Sequence, residues 1–99
     1  MDASKSMKLR ARALAYAHRA VAIAPQLPAC WRNRAAVHQR MGSLKKAEED
    51  YAIAIELEPV DPRLYVQRGG VIAAQWKRMR EAMTDYATAL HLDENVDLR

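Results

Sequence analysis

His18, His38, His91 and Cys30 are the side chains from which catalysis or metal binding would first be built, and their spacing supports neither. No serine, cysteine or carboxylate stands at nucleophile or metal-ligand spacing with a histidine, and a single cysteine can form no internal disulfide. The three histidines read as surface or packing residues, and Cys30 beside Trp31 as a small helix residue. The chain is therefore expected to be non-catalytic, with no metal and no cofactor.

Charge is the chemistry that does form a pattern. From Ala3 to Ala47 there is no acidic residue, while Lys5, Lys8, Arg10, Arg12, Arg19, Arg32, Arg34, Arg40, Lys45 and Lys46 all fall there. Glu48, Glu49, Asp50, Glu56, Glu58 and Asp61 follow, so a net charge of +4 conceals one strongly positive side or end. Such a field favours an acidic partner.

The elements that position these residues follow from composition and spacing. Hydrophobic residues make up 51% of 99 residues, enough for one small core, and there is no Phe and only three Gly. Alanine and unbranched side chains lose little freedom in a helix, so the chain is expected to be all-α. Apolar runs are too short to cross a bilayer, and one unpaired cysteine suits a reducing compartment; a soluble, cytoplasmic protein is the expectation. The acid-poor, arginine-bearing first 25 residues also fit a mitochondrial import presequence, the alternative placement.

The chain repeats itself. Ala13 and Ala47, Ala20 and Ala54, Pro25 and Pro59, Trp31 and Tyr65, and Arg34 and Arg68 are each 34 residues apart. Downstream the shift becomes 35, for Ala47 and Ala82, Asp50 and Asp85, Tyr51 and Tyr86, Ala54 and Ala89, and Leu57 and Leu92, which marks one residue inserted near Trp76 and Lys77. Pro28 opens a helix that runs to about Met41, where Gly42 offers a left-handed stop. Ser43 caps a second helix to Glu58; Asp61 and Pro62 start a third, to about Gln75; a fourth runs from about Arg78 to Leu92. Upstream, roughly Ser6 to Ala24 is one basic, alanine-rich helix.

This pattern resembles the tetratricopeptide repeat, with its period of 34, its aromatic, its later alanine and aromatic, and its closing proline. The middle unit reads Trp31-x2-Arg34-Ala35-x2-His38, then Ala47-x3-Tyr51, Ala54 and Pro59; the next reads Tyr65-x2-Arg68-Gly69-x2-Ile72, then Ala82-x3-Tyr86 and Ala89. Ala13, Ala17, Ala20 and Pro25 match only the second half of a unit. The resemblance implies a right-handed helical-repeat superhelix of five antiparallel helices. It divides a single domain, residues 1–99, into a half repeat at about 6–27, repeats at 28–61 and 62–93, and a short tail at 94–99.

Two departures from the family pattern carry expectations. Arg34 and Arg68 stand where a leucine is usual, so each places a guanidinium at a partly buried position and needs a partner. An acid precedes each second-helix tyrosine, so Arg34 is expected to pair with Asp50 and Arg68 with Asp85 as structural ion pairs; Asp50 with Arg68 is the alternative. The array also begins on the second helix of a unit, which leaves one face of that helix to be capped by its own basic residues or to bind a second copy or another subunit.

Family resemblance further implies that the first helix of each repeat lines a concave groove. Carried onto this chain, the groove positions are Arg32, Asn33, Ala36, Gln39 and Arg40 on one helix and Arg63, Val66, Gln67, Gly70 and Ala73 on the next. The face is basic and amide-rich with no acid, which suits an acidic or C-terminal peptide segment. Some family members clamp the C-terminal carboxylate of heat-shock chaperones in this way, and Asn33 and Arg63 match two of the positions that do so, whereas Gln67 stands where a basic residue is expected. The functional expectation is a protein-interaction scaffold or adaptor with a protein or peptide partner. Oligomerisation or assembly through the uncapped N-terminal helix, and RNA binding by the basic stretch, are the alternatives.

Overall fold

Prolines, Gly42 and Asp61 mark off five helices in the computed structural model, which describes residues 3–96 and 98. Residues 1, 2, 97 and 99, at the ends of the anticipated domain and in its tail, lie outside the described residues. The helices are α1 (Ala3–Ile23), α2 (Pro28–Arg40), α3 (Leu44–Leu57), α4 (Pro62–Ala73) and α5 (Met79–Leu92), and no strand occurs among the described residues. Pro28 and Pro62 sit in the first turns of α2 and α4, where a missing N–H costs nothing. Asp61 caps α4, its side chain accepting from the Arg63 backbone N–H at 3.0 Å. Ser43 precedes α3 but makes no side-chain cap bond, contrary to the expected cap.

The small residues lie where helices approach. Ala35, Ala47, Ala54, Ala82 and Ala89 are fully buried, and alanine at these crossings lets the helix axes come together. Trp31, early in α2, packs on the Ala54 and Ile55 cluster late in α3, while Ala35, further along α2, meets Ala47 nearer the start of α3. α2 and α3 therefore run in opposite directions. Gly69 holds the register position of Ala35, and a Cβ there would lie only 2.7 Å from Tyr86 Cε1, so α4 and α5 meet through a ring laid against bare backbone.

Each aromatic that opens an even-numbered helix also ties down the turn before it. Trp31 Nε1 donates to the Pro25 carbonyl at 2.7 Å, and the Tyr65 hydroxyl donates to the Pro59 carbonyl at 2.8 Å. The proline and the aromatic recur together because each turn presents a carbonyl that has no helical partner.

Turns after α2 and α4 differ by the inserted residue. Gly42 ends the first with φ +79°, and the left-handed residue of the second is Lys77, at φ 61°. These two positions are 35 apart, so the insertion lies ahead of Lys77 and shortens α4 relative to α2. A lysine accepts here a conformation that its Cβ opposes.

Candidate functional site

Two repeated ion pairs and one cleft are the polar features that follow the repeat. Arg34 Nε and Nη2 donate to the two carboxylate oxygens of Asp50 at 2.7 and 2.9 Å; Arg68 does the same to Asp85, both bonds at 2.8 Å. Each pair joins an even-numbered helix to the helix that follows it, and Asp50 takes Arg34 rather than Arg68. Both carboxylates are buried, and the bonds to them raise the guanidinium pKa values of Arg34 and Arg68. Bidentate geometry fixes the rotation of one helix against the other, which a point charge could not do.

Arg34 carries two further contacts. Its guanidinium lies 5.0 Å from the centroid of Trp31, and Nη1 is 3.2 Å from His18 Nδ1 on α1. Through this one side chain α1, α2 and α3 are joined. The rings of His18 and His38 meet edge to face at 6.2 Å, and His38 Nε2 stands 3.8 Å from Asp50 Oδ2.

Burial holds the His38 imidazole below its ordinary value of 6.5, and the charges of Arg34, Lys46 and His18 act in the same direction, against the attraction of Asp50. The unfolded chain therefore binds a proton at a pH where the folded chain does not. The contribution of neutral His38 is intact above 6.5 and is lost as the pH falls from there through the depressed native value. Melting temperature is expected to drop on acidification from about pH 7.5 to about pH 5.5, with a smaller drop in His38→Gln. Parallel profiles for the two proteins would show that this imidazole is not responsible.

The cleft lies between α2 and α4. Ala36, Gln39, Arg40, Val66, Gln67 and Gly70 line a concavity of 580 Å³, with Tyr51 of α3 contributing from behind. Six of the anticipated groove residues are thus brought together; Arg32, Asn33, Arg63 and Ala73 are not part of this lining. Arg63 instead binds the cap of its own helix, Nε and Nη2 reaching Asp61 at 3.2 and 3.0 Å. The hydrogen bonds from Arg63 hold the Asp61 carboxyl below its ordinary value, the charge of Arg32 adding a little, while burial raises the Tyr51 hydroxyl against the opposing charge of Arg32.

Among the described residues no carboxylate lines the cleft. Ala36 and Gly70 leave room for a ligand backbone, Arg40 is exposed at the edge, and the Tyr51 hydroxyl donates to Gln39 Oε1 at 3.3 Å. Gln67 Oε1 is shut from solvent and accepts no hydrogen bond. Such an orphaned acceptor is costly, so the wall of the cleft holds an unmet demand for a donor. In the sequence Tyr51 stands only as the second-helix aromatic of its repeat; its place in the cleft follows from its position on the side of α3 turned toward α2 and α4.

A second network was not anticipated. Arg78 donates to both oxygens of Glu48 at 2.6 and 2.9 Å and to Gln75 and Glu81, joining α3 to the turn between α4 and α5. Its hydrogen bonds draw the Glu48 carboxyl below the usual range, against the effect of burial. Among the described residues no group of three or more His, Cys, Asp or Glu side chains converges to hold a metal, and no helix is long and apolar enough to cross a membrane.

No protein-family model matches the chain, and a search of curated proteins finds no match either.

Proposed function

We propose that the chain is a non-catalytic protein-interaction module of the tetratricopeptide type, whose helix hairpins continue as a right-handed superhelix and whose α2–α4 cleft receives an acidic or C-terminal peptide segment. The observation that carries this reading is a concave, carboxylate-free lining that combines an exposed guanidinium, two primary amides and a tyrosine hydroxyl with the small residues Ala36 and Gly70. Recurrence of the ion pair, the alanines and the aromatic-to-proline bond at one spacing supports the repeat architecture.

An extended peptide meets each demand of the cleft. Arg40 presents a fork to a side-chain or terminal carboxylate, and a ligand N–H satisfies Gln67 Oε1 once the amide turns toward it. Val66 offers the apolar contact between them.

Calorimetric titration with short peptides ending in acidic residues tests the reading. Arg40→Glu is expected to weaken binding by about tenfold, the scale of one charge-assisted hydrogen bond, without lowering the melting temperature, since Arg40 is exposed. Gln67→Ala should weaken it less, and Arg63→Glu less again, because Arg63 is occupied by Asp61. Equal affinity for acidic and basic peptides, unchanged by Arg40→Glu, would exclude the cleft as the binding site.

A further inference from the structure

One face of α5 is apolar and open. Met79, Met83 and Leu90 are 54, 62 and 42% exposed, and with exposed Ala87 they follow one another at three- and four-residue steps along a single helical face; Trp76, 85% exposed, lies in the turn just ahead of it.

An internal comparison shows what such a face does when it is covered. The residues 35 earlier are Met41, Leu44, Glu48, Ala52 and Ile55 on and before α3. There α4 and its following turn supply the partners: Ile55 clusters with Leu64, Leu44 packs on the cluster that holds Val71, and Glu48 binds Gln75 and Arg78. No described element takes that place over α5. The covered face carries a glutamate where the open one carries Met83, the reverse of what solvent exposure alone would favour.

We infer that α5 pairs with α5 of a second copy of this chain, antiparallel, about a two-fold axis. Charge selects this occupant. Lys77 lies in the turn just ahead of the helix and Arg80 in its first turn, and neither has a carboxylate partner among the described residues, Glu81 of that turn being paired with Arg78; Asp93 and Glu94 lie just past its end. Cations at a helix N-terminus and anions at its C-terminus both oppose the helix dipole, so each end is better offset by an outside charge than by its own helix. An antiparallel copy brings the acidic end of one helix beside the basic end of the other, twice over, as a self-complementary two-fold contact requires.

Apolar register agrees with this arrangement. Setting Met79 against Leu90 places Met83 against Ala87, where the small side chain leaves space for the long one, and brings Lys77 level with Asp93. The entirely basic α1 of another copy would instead set cations against Lys77 and Arg80, and a uniformly acidic partner would be repelled by Asp93 and Glu94. The face lies on α5 and shares no lining residue with the α2–α4 cleft, so the pairing stands independently of what that cleft binds.

Sedimentation of the 99-residue chain across the micromolar to millimolar range tests the pairing. A reversible rise to twice the monomer mass is expected, abolished by Met83→Glu with the helical circular dichroism unchanged. Lys77→Glu and Asp93→Lys should each weaken association by about tenfold, since two rim pairs become repulsive in every dimer, and the two changes in one chain should restore it. In a Cys30→Ser background, Ala87→Cys with Met83→Cys should form an intermolecular disulfide on mild oxidation. A mass that stays monomeric throughout, one that climbs past the dimer, or a double charge reversal that restores nothing would overturn the inference.

Discussion

Tyr51→Ala is expected to lower the unfolding free energy by about 3–5 kcal/mol, the range for truncating a buried aromatic. Tyr51 is 1% exposed and is the largest fully buried side chain, packed against Ala35 of α2, Ala47 of its own helix and Val71 of α4. Its loss opens a cavity where three helices meet, and alanines already lining that site cannot grow to fill it. A domain of this size has about 5–15 kcal/mol in total, so the variant should be partly unfolded at moderate urea. Tyr51→Phe, which removes only the long bond to Gln39, should cost no more than about 1 kcal/mol. Tyr86→Ala provides the internal control: Tyr86 occupies the same register, with its ring against Gly69 of α4, but is only half-buried, and its truncation should cost less. A smaller loss for Tyr51 than for Tyr86 would mean that Tyr51 does not fill the junction of α2, α3 and α4.

Asp50→Ala should be next in severity, at about 3 kcal/mol, because it strands the Arg34 guanidinium between α2 and α3 without its acceptors. Arg34 retains some access to water, which keeps the loss toward the lower end for a broken buried pair. Replacing both partners, Arg34→Met with Asp50→Leu, should recover most of the loss, since a well-packed apolar pair often matches a buried ion pair in stability. Urea denaturation of the two single variants and the double variant gives the coupling directly. We expect at least about 1.5 kcal/mol of coupling; additive effects would show that the bidentate contact has no energetic weight. His18 should feel the change as well, since its ring is held to α2 through Arg34 Nη1, and chemical shifts of α1 in the Asp50 variant would report a loosened first helix.

The helices themselves were largely legible in the sequence. Pro28, Pro62, Gly42 and Asp61 act within one turn of chain, so the ends they predict fall within about two residues of those observed. The ion pairs were legible for another reason: Arg34 with Asp50 and Arg68 with Asp85 repeat at nearly the same offset, and a repeated charge beside a repeated small residue can be satisfied only by the neighbouring helix. Ser43 shows the limit of local signals, since a good capping residue precedes α3 without its side chain making the bond.

Tertiary structure decided the rest, because it depends on where long side chains end and which faces are covered. Arg63 turns to Asp61 and not into the cleft, Tyr51 reaches the cleft from a third helix, and Arg78 finds Glu48 thirty residues away. A guanidinium spans several ångströms on rotatable bonds, so its partner is chosen by distances that spacing along the chain does not contain. Likewise the stripe on α5 has the same helical period as the one on α3, and only the packed molecule shows that α4 covers the first and that no described element covers the second. Periodicity reports which residues share a face; only the fold determines what that face meets.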